Sequence, residues 1–121
     1  MSDQITVNVA ERGDVRIVSL AGAVDLGSVE TCKARILGAA RGPARGVVVD
    51  LRRVTFLDSS GLKLIFSLRR RLSRRGKQFA LVAPEHREVR RLLNLVDVEA
   101  AVELRESIED AVRYCREARQ A

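Results

Sequence analysis

The chain has 121 residues, enough for one domain with its own core and too few for two ordinary ones. Apolar residues make up 46% and aromatic residues 3%, with no Trp, so the core must be aliphatic and a stacking platform for single-stranded nucleic acid has little to build on. A net charge of +6 suits an acidic protein, a nucleic acid or an anionic membrane surface alike, and by itself selects none of them.

Ile5, Val7 and Val9 alternate with Thr6, Asn8 and Ala10, the period of a half-buried strand. Gly13-Asp14 marks a turn, and residues 15–21 give the next strand, antiparallel to the first. Gly22 is expected to end it, leaving Asp25 in the following loop. A helix fits from about Gly27 to Arg41, with Val29, Cys32, Ile36, Ala39 and Ala40 on one face, Ser28 as its cap and Gly42-Pro43 as its stop.

Val47-Val48-Val49-Asp50-Leu51 reads as a strand buried on both faces, after which Arg52-Arg53 are expected to leave the sheet. The next helix runs from about Ser60 to Arg75 with a core stripe of Leu64, Ile65, Leu68 and Leu72, and Gly76 closes it. Phe79 to Val82 is a further strand. Pro84 is placed in the first turn of a short helix reaching about Asn94, with Val89, Leu92 and Leu93 inward. Val98 to Leu104 offers a last strand, and Ser107-Ile108-Glu109-Asp110 starts a final helix carrying Ile108, Ala111, Val112 and Cys115 on one face. The order β-β-α-β-α-β-α-β-α predicts a single α/β domain over residues 1–121: a mixed sheet of about five strands, with an N-terminal hairpin, a parallel centre and four helices.

Cys32 and Cys115 lie far apart in helical patterns, and His86 is the sole histidine, so neither a zinc site nor Cys-His catalysis is supported. The cysteines fit a reducing compartment, as small apolar fillers. There is no signal peptide and no run long enough to cross a bilayer, which leads to an expected cytoplasmic location with no membrane partner. No phosphate-binding glycine loop is present, and no cofactor is expected. Ser59 and Ser60 lack the Gly-x-Ser-x-Gly setting of a nucleophile elbow, and His86 is a poor base in its basic surroundings, so no catalytic residue is assigned and the chain is not read as an enzyme.

What stands out is Asp58-Ser59-Ser60-Gly61-Leu62, where a strand gives way to a helix. One of Asp58, Ser59 and Ser60 serves as an N-cap, and Gly61 eases the turn. Three polar residues in a row exceed what a cap requires. A hydroxyl there can accept a phosphoryl group of about −1.5 to −2 charge without unfolding the helix, because the dipole favours negative charge at that end. Leu62 and Phe66 lie to the side of the core stripe, and either pack under a neighbouring loop or form an exposed ridge beside the serines.

Asp58-Ser59-Ser60-Gly61-Leu62, preceded by Val49-Asp50-Leu51 and Val54-Thr55-Phe56-Leu57, resembles the STAS domain of bacterial anti-sigma-factor antagonists. Leu20-Ala21-Gly22-Ala23-Val24-Asp25 is similar to that family's Gly-Glu-Leu-Asp segment, and Arg75-Gly76-Lys77 with Phe79 through Pro84 fits its next loop and strand. The resemblance implies a protein that binds an anti-sigma factor with serine kinase activity and so frees a sigma factor. It implies phosphorylation at Ser59, with Ser60 as the runner-up, and a phosphatase acting on phospho-Ser59. It also implies that Asp25 and Asp58 flank the site; with Ser59, Ser60 and Gly61, and with Leu62 and Phe66 from the helix spacing, these are the expected partner-binding residues. The chain departs from the pattern at Ala23, where a Glu is usual, at Lys63, a long cation in the helix's first turn, and at Arg69, Arg70 and Arg71. Two alternatives remain open: an unswitched STAS subunit of a transporter or signalling assembly, and a nucleic-acid-binding module using Arg69 to Arg75 with Arg87, Arg90 and Arg91.

Overall fold

The computed structural model describes residues 5–118. Strands β1 (Thr6–Arg12), β2 (Val15–Val24), β3 (Gly46–Leu57), β4 (Gln78–Val82) and β5 (Glu103–Arg105) alternate with helices α1 (Val29–Ala39), α2 (Ser59–Arg74), α3 (Arg87–Leu95) and α4 (Ile108–Glu117). They form one sheet in the order β1-β2-β3-β4-β5. The β1–β2 pair is antiparallel, joined by the Gly13-Asp14 turn with Gly13 at φ +61°, and every later pair is parallel. The expected mixed sheet with an N-terminal hairpin, parallel centre and four helices is therefore what the chain adopts.

Strand parity divides the core in two. Val18, Leu20, Val47, Val49, Leu51 and Leu81 face α1, α2 and α3, meeting Cys32 and Ile36, the Leu64/Ile65/Leu68/Leu72 stripe, and Val89 with Leu93. Val15, Ile17, Val48, Ala80 and Val82 face α4 and its Ala111, Val112 and Cys115. The uninterrupted apolar run of β3 is thus explained, since both of its faces are covered.

Several local expectations are corrected. Gly22 does not end β2. It takes φ +110° in an irregular stretch, and the strand continues to Val24. Arg52 and Arg53 do not leave the sheet, because β3 continues alongside that extension, pairing Arg53 with Ala21 and Leu57 with Val24. Helix α1 starts at Val29 rather than Gly27, and Ser28 makes no side-chain cap: its hydroxyl donates to the Ala23 carbonyl at 2.7 Å and accepts from the Asp25 N–H at 3.0 Å. Pro84 lies before α3, not in its first turn. Ala83 N–H donates to the Arg105 carbonyl and Glu85 N–H to the Arg52 carbonyl, which pins this segment to the sheet until His86 opens the helix. Val98 to Leu104 is not a continuous strand. Val98–Ala100 forms a 3-10 turn that buries Val98 and Val102 at i, i+4 spacing, and only Glu103–Arg105 pairs with β4.

Candidate functional site

The extensions of β2 and β3 end side by side, so the turn after β2 (Asp25 to Ser28) and the start of α2 (Asp58 to Gly61) are neighbours. Asp58 N–H donates to the Val24 carbonyl at 3.4 Å, tying the two together. In the first turn, Asp25 Oδ1 accepts from Gly27 N–H at 3.0 Å, and the Asp25 carbonyl accepts from Ser28 and Val29 N–H. Asp25 is half-buried and shaped by its own turn.

Among the three polar residues, Asp58 is the cap. Its backbone is extended, and its Oδ1 accepts from Ser60 N–H at 2.9 Å and from Gly61 N–H at 3.1 Å. Ser59 is then the first helical residue, exposed, and its hydroxyl makes no hydrogen bond among the described residues. Ser60 is half-buried. Gly61 is buried: a Cβ there would collide with the Leu57 side chain and lie 2.9 Å from the Val24 carbonyl oxygen. Glycine is needed for closeness here, not for an unusual φ.

Leu62 and Phe66 are half-buried and pack against the core, so they do not form the free ridge that was one of their two expected states. The exposed apolar side chains at this end are instead Leu26, 77% accessible, and Phe56, 51% accessible. Neither was singled out from sequence. Local periodicity did not mark Phe56: Val54 and Leu57 are buried while Thr55 and Phe56 between them are both exposed, where the β2–β3 register shifts. A shallow groove of about 200 Å³ runs from Thr55, Phe56 and Leu57 to Glu88, Val89 and Leu92 on α3.

A second polar cluster was also missed. Asp50, 5% accessible, accepts from the Arg52 N–H and Nε at Oδ1 and from Arg52 Nη2 and the Ser19 hydroxyl at Oδ2, all at 3.0–3.1 Å. Burial pushes the Asp50 carboxyl up, but the Arg52 and Ser19 hydrogen bonds outweigh it and hold the group below its ordinary value. The spacing Asp50-x-Arg52, which places both side chains on one face of a strand, was the legible signal.

His86 is exposed at the start of α3, and no hydrogen bond among the described residues links it to Ser59 or Ser60. Among the described residues no group of His, Cys, Asp and Glu is placed to hold a metal ion, and no helix is long and apolar enough to cross a membrane.

This architecture and site have relatives. The chain is 29% identical over 114 residues to the anti-sigma-F factor antagonist RsfB of Mycobacterium tuberculosis, covering 94% of this chain and 92% of that protein. It is similar to the crystal structure of an anti-sigma factor antagonist from Mycobacterium paratuberculosis, with a TM-score of 0.84, 25% identity and coverage of 97% of this chain and 100% of the other. It also shares its fold with the Bacillus cell fate determinant SpoIIAA in the phosphorylated form, with a TM-score of 0.66, 21% identity and coverage of 89% and 97% respectively. The family model of the STAS domain matches residues 6–111, and the chain belongs to that family.

Proposed function

We propose that this STAS domain is an anti-sigma-factor antagonist that works by partner switching. In its unmodified state it binds an anti-sigma factor through Asp25, Asp58, Ser59, Ser60, Leu62 and Phe66, with Leu26 and Phe56 added from the geometry, while Gly61 seats the helix beneath them. That partner is a serine kinase acting on Ser59, and a phosphatase acting on phospho-Ser59 restores binding. The reading carries over what the relatives' names say of those proteins, and one observation supports its placement. Ser59 is the exposed first residue of a helix that is already capped by Asp58 and wedged on the sheet at Gly61. A hydroxyl displayed on so fixed a frame can change charge without the fold changing. A phosphate of about −1.5 to −2 charge beside Leu26 and Phe56 would make an apolar contact there costly.

The test is affinity capture from native lysate with wild type, Ser59→Ala and Ser59→Asp, followed by mass spectrometry of partners and of phosphate on Ser59 and Ser60. The expected result is an anti-sigma factor retained by wild type and Ser59→Ala and lost by Ser59→Asp, with phosphate on Ser59. Equal retention by Ser59→Asp would overturn the switch. Phosphate on Ser60 alone would move it by one residue.

A further inference from the structure

Helix α2 contains no acidic residue, yet carries Lys63, Arg69, Arg70, Arg71 and Arg74. None of these five cations joins an ion pair among the described residues. At about 100° per residue, Ser59, Lys63, Arg70 and Arg74 fall within about 60° of one another, opposite the buried stripe, and all four are exposed. Ser59 and Lys63 are both exposed and four residues apart on this face. Side chains on a helix lean toward its N-terminus, so a long side chain at i+4 reaches back over residue i. An anion N-terminal to a lysine at this spacing is also the more favourable orientation.

The surroundings of Ser59 give this spacing its importance. The Ser60 and Gly61 N–H groups, which would otherwise meet an added anion, are already held by the Asp58 carboxylate. A phosphate on Ser59 therefore arrives beside a fixed negative charge rather than at an open helix end. Asp25, in the turn after β2 that lies beside this end, is also acidic, and Glu88 lines the Phe56 groove from α3. Without a cation the modified state would sit against like charge, Asp58 foremost.

We propose that Lys63 is a positioning residue for the modified state: its ammonium pairs with a phosphoryl group on Ser59 and holds that group along the exposed face of α2, away from Asp58. The proposal rests on the reading of Ser59 as the acceptor and adds the group that receives its product. It also gives a role to a residue that departs from the STAS pattern. Arg70 lies on the same face but about 16 Å from Ser59 along the axis, too far to share the task.

The experiment uses full-length protein with phosphoserine installed at position 59 by codon reassignment, so no kinase is needed. Phosphorus NMR follows the second ionisation of the phosphate between pH 4 and 8. Lys63→Ala is expected to raise its pKa by roughly 0.3, about a twofold change in the ionisation constant, because the dianion loses its cation. Lys63→Arg is expected to restore the wild-type value, and Arg70→Ala to leave it within error. An unchanged pKa in Lys63→Ala, or an equal rise in Arg70→Ala, would overturn the proposal. Failure of the Ser59 reading would appear separately, as absence of phosphate on Ser59 in cells, and would leave this titration intact.

Discussion

At Gly61 there is no room for a side chain. A methyl group would meet the Leu57 side chain and the Val24 carbonyl, and the latter is main chain that cannot rotate away. Gly61→Ala is therefore expected to destabilise the fold by about 1–3 kcal/mol, read from the urea midpoint, despite the better helix propensity of alanine. Asp58→Ala leaves the Ser60 and Gly61 N–H groups without their acceptor and is expected to cost about 1 kcal/mol, with Asp58→Asn recovering most of it. Asp50 offers a pH signature. Its folded value lies below the unfolded value, so its contribution is complete above the unfolded pKa of about 3.9 and is lost as pH falls through the folded one. Urea midpoints should fall more steeply below about pH 4 in wild type than in Asp50→Asn, which should itself be less stable at pH 7 by about 1–3 kcal/mol. Parallel profiles for the two proteins would remove this account of Asp50.

Helix α2 was legible because its two halves of information agree: an apolar stripe at three- and four-residue spacing, and polar residues at its start. Leu68 is 1% accessible in that stripe, and Leu68→Ala is expected to cost about 2–5 kcal/mol in equilibrium unfolding. The continuation of β2 and β3 was not legible, for a physical reason. Gly22 and Arg52-Arg53 look like strand ends when each segment is read alone. Each extension exists because the other supplies its pairing partners, through an irregularity at Gly22 and the Asp50–Arg52–Ser19 cluster beside it. Reciprocal pairing of this kind leaves no mark in local periodicity. The cap was narrowed to three residues by composition, but choosing Asp58 required knowing which carboxylate faces the free N–H groups. The last strand exists but starts later than expected for a similar reason: Val98 and Val102 fit a strand's alternation, yet a 3-10 turn at Val98–Ala100 and the bend after it bury both equally well.

Across the whole molecule, the sheet separates two aliphatic layers, and each holds one cysteine. Cys32 lies in the layer of α1, α2 and α3, and Cys115 in the α4 layer, so the sheet stands between them. Burial pushes both thiols up, that of Cys115 to about 12. Neither should react appreciably with a disulfide reagent in the native state, and both should react once urea unfolds the chain, with a rate difference on the order of 10³ or more. A Cys115 that labelled quickly in native buffer would mean that α4 detaches readily from the sheet. The overall architecture was readable because alternating strands and helices allow few arrangements. The exposed Leu26 and Phe56 were not, since exposure is decided by which neighbouring element fails to cover a residue.

The seating of Gly61 on the Val24 carbonyl has a consequence for how this protein tolerates change. Most helices rest on a cushion of side chains, and each exchange of Leu for Val or Ile beneath them lets them sink or ride up a little. Here the first turn of α2 comes down close on the Val24 carbonyl as well as on the Leu57 side chain, so one point of its seating is main chain. Exchanges deeper along the Leu64, Ile65, Leu68 and Leu72 stripe are therefore expected to move the far end of α2 more than the turn that presents Ser59.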